Sequence, residues 1–157
     1  MTCAERRSEM RFSSSRDVEL PAEDLFDAVA DIDRLEQVIA SRKARVTRLG
    51  PEDGGPMAWE VEFDWRGRTR NLSARVTRFD RPHLLGMEGA VETLDFRLTA
   101  EVVALTRERS RVTIEAEITP RSMKARLLLQ TAKLTKSTLD RRFDERVAGY
   151  VDRVAGA

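Results

Sequence analysis

Cysteine is nearly absent from this 157-residue chain. Cys3 is the single one, which excludes an internal disulfide and any cysteine-based zinc site, and a lone thiol fits a reducing, cytoplasmic setting. Histidine is equally scarce. His83 alone cannot build a histidine metal site, and no Ser-His-Asp arrangement can be argued from it. An excess of one charge is missing too: Lys+Arg 28 against Asp+Glu 27 leaves +1. The basic surplus that nucleic-acid binders use against phosphates is therefore not there. No apolar run approaches the ~20 residues of a membrane span, and no signal-peptide core follows Met1. Neither metal, cofactor, nucleic acid nor an integral membrane segment is expected.

What is present describes a folded domain. The apolar fraction of 41% argues against disorder despite 35% charged residues. The polar opening MTCAERRSE reads as a disordered tail over residues 1–9, with Met1 and Met10 both open as the start of translation. Residues 10–157 suit a single domain that buries roughly two-thirds of its unfolded surface.

Two periodicities divide that domain. Residues 10–19 look like a strand running into Pro21. Leu25, Phe26, Val29, Ile32, Leu35, Val38 and Ile39 then recur at helical spacing, and the Asp31–Asp33 stretch predicts a break into two short helices. From 44 to 119 the period is two. Met57, Trp59, Val61, Phe63 and Trp65 alternate with polar residues, Arg66-Gly67 reads as a hairpin turn, and Leu72, Ala74 and Val76 continue the apolar face. Leu94 to Ala104 and Val112 to Ile118 supply two more faces, giving an antiparallel meander with one wet side. The carboxylate pairs Glu60/Glu62 and Glu115/Glu117 belong to that wet side. Past Pro120, residues 122–154 predict one long helix whose stripe is Leu129, Ala132, Leu139, Phe143, Val147, Tyr150 and Val154.

The order strand, two short helices, six-strand meander and long C-terminal helix resembles the helix-grip fold of the START/SRPBCC superfamily. The opening VELPAEDLFDAVADIDRLEQV and closing RSMKARLLLQTAKLTKSTLDRRFDERV are similar to that group's first and last segments. The resemblance covers about residues 10–154. It implies an α+β fold: a curved seven-stranded antiparallel sheet wrapped around the C-terminal helix, with a cavity between them. It also implies a hydrophobic or amphipathic small molecule as partner, since members bind sterols, lipids, quinones or polyketides.

The expected lining mixes large side chains (Trp59, Phe63, Phe96) with Val61, Leu72, Leu98 and Ile114 and with small Ala74, Ala100 and Ala116; Ala132 and Leu139 face them from the helix. Two cations interrupt the pattern, Arg70 on the strand after the hairpin and Lys136 in the helical stripe. A buried cation needs a partner, so each either holds the acidic end of a ligand or carries its charge out to water. His83 and Glu88 are the further candidates for proton transfer, with the parity of Glu88 open.

Three functions compete. The first is binding or transport of a lipid-, quinone- or polyketide-like molecule. The second is a cyclase/dehydratase-type reaction on an aromatic polyketide-like substrate, with Arg70, His83 or Glu88 acting on it. The third is a protein-partner module built on residues 121–139, which hold five bases, no acid, and an outward patch of Met123, Leu127 and Leu134. Peripheral membrane contact through that patch stays open, as does the oligomeric state. The inward faces are almost entirely apolar, which favours binding over catalysis.

Overall fold

The computed structural model describes residues 9–40, 43–50 and 57–155. Cys3 and most of the turn cluster at 50–56 lie outside these residues, as do residues 1–8 of the segment read as a tail. Glu9, the last residue of that segment, donates its N–H to the Ile118 carbonyl at 2.8 Å.

Seven strands form one antiparallel sheet: β1 (Met10–Val18), β2 (Arg45–Arg48), β3 (Ala58–Trp65), β4 (Arg68–Asp80), β5 (Leu84–Val91), β6 (Leu94–Ala104) and β7 (Ser110–Pro120). Their spatial order is β1-β7-β6-β5-β4-β3-β2, a meander whose last strand meets the first. This is the curved sheet of the helix-grip fold. Trp65 pairs with Arg68, and Arg66 and Gly67 both have positive φ, 54° and 76°. That is the mirror-image two-residue turn whose twist matches its strands.

Gly89 carries a stricter requirement. A Cβ there would stand 2.1 Å from the Ser73 carbonyl oxygen and 2.4 Å from the ring of Phe96. Only glycine lets β4 approach while the Phe96 ring lies over the strand.

Helices α1 (Ala22–Val29) and α2 (Ile32–Ala40) link β1 to β2. Pro21 precedes α1 in an extended conformation, and Glu23 and Asp24 occupy its first turn, where the helix dipole favours acids. The break falls where the aspartates predict it. Asp31 accepts a hydrogen bond from the Arg34 N–H at 3.2 Å and so caps α2.

The C-terminal helical run begins at the Ser122 hydroxyl, which accepts from the Ala125 N–H at 3.0 Å. It is not uniform. Helix α3 (Met123–Ala132) passes through a 3₁₀ turn (Lys133–Thr135) into α4 (Lys136–Val154). The Thr131 hydroxyl donates to the Leu127 carbonyl (3.1 Å) and that of Thr135 to the Ala132 carbonyl (3.2 Å). Such back-bonding competes with the helical ladder and bends it. The expected stripe faces inward: Leu129, Val147 and Val154 are buried, and Ala132, Leu139, Phe143 and Tyr150 are half-buried.

The main core gathers Leu25, Phe26 and Val29 of α1, Ala100, Val102, Val112 and Ile114 of the sheet, and Val147, Val151 and Val154 of α4. A smaller cluster forms around Trp59, Ala74 and Met87.

Candidate functional site

Alternation in β3 turns Trp59, Val61 and Phe63 to the helical side of the sheet, and the β3–β4 register sets Ala74, Leu72 and Arg70 opposite them. Across the sheet Phe96, Leu98 and Ala100 face Ile118, Ala116 and Ile114. Burial changes along every row. Trp59, Val61, Ala74, Ala100 and Ile114 are buried, whereas Phe63, Leu72, Phe96, Leu98 and Ala116 are half-buried. The cause is what lies above each end. Helix α1 and the second half of α4 cover one end, and Ala100 and Ile114 are packed there into the core around Phe26. At the other end α3 leans on β7. Val91 and Leu94, which pair across the β5–β6 turn, are half-buried there as well. Phe63, near the sheet edge, also borders a 310 Å³ recess with Lys43, Arg45 and Glu62.

Arg70 stands at this open end. Its guanidinium donates to Glu92 at 2.5 Å and to the Trp65 carbonyl at 3.3 Å, and lies 5.1 Å from the centre of the Trp65 ring. Its side chain is only 13% exposed. Trp65 itself, placed inward by the alternation, is half exposed at the strand end. Lys136 pairs with Asp140 at 2.5 Å and sits 4.7 Å from the Phe12 ring on β1. Arg70 lies on β4 and Lys136 stands over β1, and β7, β6 and β5 lie between those two strands. The two cations do not converge on one charged group, and each already has a carboxylate.

The proton-transfer candidates lie elsewhere. Glu88 points to the outer face, between Arg75 (3.6 Å) and Arg97 (3.5 Å), where these residues line a polar depression of 780 Å³. Its strand neighbour Met87 takes the inward position, which settles the parity. His83 is exposed in the β4–β5 turn, its N–H donating to the Asp80 carbonyl at 2.7 Å. Among the described residues no three histidines, cysteines or acids gather into a metal site.

Three polar features on the helical side escape the periodicity. The Trp59 indole N–H donates to Glu36 at 2.7 Å, and Arg48 grips the same carboxylate at 2.8 and 2.9 Å while reaching Asp33 at 2.8 Å. The Arg48 hydrogen bond, aided by that from Trp59, holds the Glu36 carboxyl below its usual value against the opposing effect of burial. Ser14, buried in β1, donates to Asp144 of α4. The Tyr150 hydroxyl donates to the Val29 carbonyl at 2.7 Å, and burial pushes its phenol up to about 12. One signal was available for the first of these: Glu36 sits beside Leu35 and Ile39 on the apolar face of α2.

Comparison with known proteins agrees with this architecture. At 13% identity, a Thermus thermophilus protein superposes with a TM-score of 0.68, covering 94% of this chain and 98% of that one. The Zhui aromatase/cyclase of a Streptomyces species gives 0.63 at 13% identity, with 92% and 94% covered. Norcoclaurine synthase from Thalictrum flavum, in complex with dopamine and hydroxybenzaldehyde, gives 0.64 at 12% identity, with 93% and 86% covered. These likenesses show the fold. No curated protein matches in sequence. The sequence itself matches the family described as polyketide cyclase/dehydrase and lipid transport over residues 9–154, nearly its whole length, and the chain belongs to that family.

Proposed function

We propose that the domain binds an apolar or amphipathic small molecule, of lipid, quinone or polyketide-like chemistry, against the open end of the concave face. One observation carries the reading. Phe63, Leu72, Leu94 and Phe96 face the helices in the manner of core residues, yet all four keep surface that the protein does not cover. Apolar surface of this kind gains about 25 cal/mol per Å² when a ligand removes it from water. Family membership supports the same class of ligand.

Binding is preferred to a cyclase/dehydratase reaction because Arg70, Lys136 and Glu36 are each held in an ion pair. A general acid or base needs a group poised to exchange its proton with substrate. Recognition is therefore assigned to apolar contact, with Arg70 at the rim beside the ligand's polar end.

Native mass spectrometry of freshly purified protein tests this. The expected result is an added mass, released into organic solvent, and absent from Phe96→Ala. An unliganded mass, together with no uptake of anilinonaphthalene sulfonate or a fluorescent fatty acid, would overturn the reading.

A further inference from the structure

We propose that α3 and the 3₁₀ turn after it form a docking surface for an anionic lipid bilayer. The inner side of α3 is spent on the fold: Ala125 and Leu129 are buried. Its outer side carries large apolar residues in the open. Met123 is 68% exposed, Leu127 and Leu128 are more than half exposed, and Leu134, on the 3₁₀ turn, is 84% exposed. At 100° per residue in α3 and about 120° in the 3₁₀ turn, Met123, Leu127 and Leu134 fall within roughly 60° of one another, so they form one stripe. The other large exposed apolar residues among the described ones (Leu49, Trp65, Phe79, Val103, Leu105) are spread over the sheet and its turns. Isolated exposure of that kind is ordinary; a stripe on one helix is not.

Charge selects the occupant. Residues 121–139 hold five bases and no acid. Arg121 pairs with Asp95 and Lys136 with Asp140, but Arg126 (3.1 Å) and Lys133 (3.2 Å) share the single carboxylate of Glu9, and Lys124 has no acidic partner among the described residues, so a basic surplus remains along α3. A second copy of the chain meeting this stripe with its own would set like charges against each other. An apolar stripe flanked by basic residues instead suits a helix lying in the headgroup layer of an anionic membrane, its leucines in the acyl boundary. Helix α3 also follows directly from Pro120, which pairs with Leu94 at the open end of the concave face. Docking through α3 would bring that end to the bilayer.

The test is flotation of the full chain with phosphatidylcholine vesicles and with vesicles containing an equal share of phosphatidylglycerol. The protein is expected to float with the anionic vesicles only, and to be released by salt. Lys124→Gln should lower the partition about fivefold, the worth of one basic residue at such a surface. Leu127→Glu with Leu134→Glu should lower it by more than about tenfold. All these side chains are exposed, so the melting temperature and any bound small-molecule mass should stay as in the wild type. The proposal is overturned if the wild type remains unbound by anionic vesicles. It is equally overturned if the double variant floats as well as the wild type, or if the stripe proves to drive a dimer that ignores vesicles. An unliganded native mass with no uptake of dye or fatty acid, beside intact flotation, would remove the small-molecule reading and leave this one standing.

Discussion

The two ends of the concave face are made from the same kind of strand and differ in what lies over them. At one end Val102 and Val112 of the sheet, Phe26 of α1 and Val151 of α4 are almost wholly shielded from water. At the other, Phe63, Leu72, Leu94 and Phe96 keep part of their surface. Alternation decides which side a residue faces. It does not decide whether anything fills the space above it. That depends on where the helices go, and here α1 and the end of α4 close one end while α3 leans toward β7 and turns Leu127 and Leu128 outward. One sheet thereby supplies a solid foundation and an apolar wall that is only partly covered.

The largest effect should come from the filled end. Phe26→Ala removes a fully buried ring from the main core and should cost about 3–5 kcal/mol, read by urea unfolding. A loss below about 1 kcal/mol would mean that this end is loosely packed, and the contrast between the ends would fail. Gly89→Ala comes next, at about 1–3 kcal/mol, because its new methyl group must displace the Ser73 carbonyl or the Phe96 ring. Phe96→Ala sharpens the comparison. Part of its ring is already exposed, so its stability cost should be smaller, about 1–2 kcal/mol, while uptake of a fluorescent fatty acid falls by about tenfold. A stability loss equal to that of Phe26→Ala, with uptake unchanged, would make the open end another piece of core.

Much of this was legible in the sequence, for identifiable reasons. The apolar alternation of β3, the Arg66-Gly67 turn and the Asp31 break are local signals, and the structure agrees with all three. Wet-side carboxylates such as Glu60 and Glu115 follow from the same parity. Local signals fail where geometry is non-local. Arg70 and Lys136 both interrupt apolar stripes, but only the tertiary arrangement shows that Arg70 sits on β4 while Lys136, on α4, stands over β1. Glu88 lay in a strand with apolar residues on both parities, so its outward side depended on register with Arg75 and Arg97. The 3₁₀ turn in the last helix arises from two threonine hydroxyls, a feature that helical periodicity does not register. The grip of Arg48 on Glu36 and Asp33 joins elements on either side of a loop.

That last grip supplies the smallest effect and bears on the boundary between the two ends. No residue of α2 is fully buried, and polar bonds tie the helix to the sheet beside Trp59: Arg48 to Glu36 and Asp33, and Trp59 to Glu36. The folded state holds the Glu36 carboxyl below its ordinary value of 4.5, chiefly through the Arg48 hydrogen bond. Its stabilisation is thus complete above that ordinary value and is lost as the pH falls through the lower, folded one. Asp17 and Asp27, lowered chiefly by hydrogen bonds from Arg111 and Arg81, add the same trend to global stability, so the readout must be local. In a Trp65→Phe background the fluorescence reports Trp59 alone. Acidification below about pH 4.5 should shift that emission before the far-ultraviolet dichroism changes, because α2 loosens while the α1 end holds. Glu36→Gln should already show the shifted emission at neutral pH and no further step on acidification. If instead Trp59 emission and global unfolding move together in both proteins, α2 belongs to the filled end and the boundary lies farther toward α3.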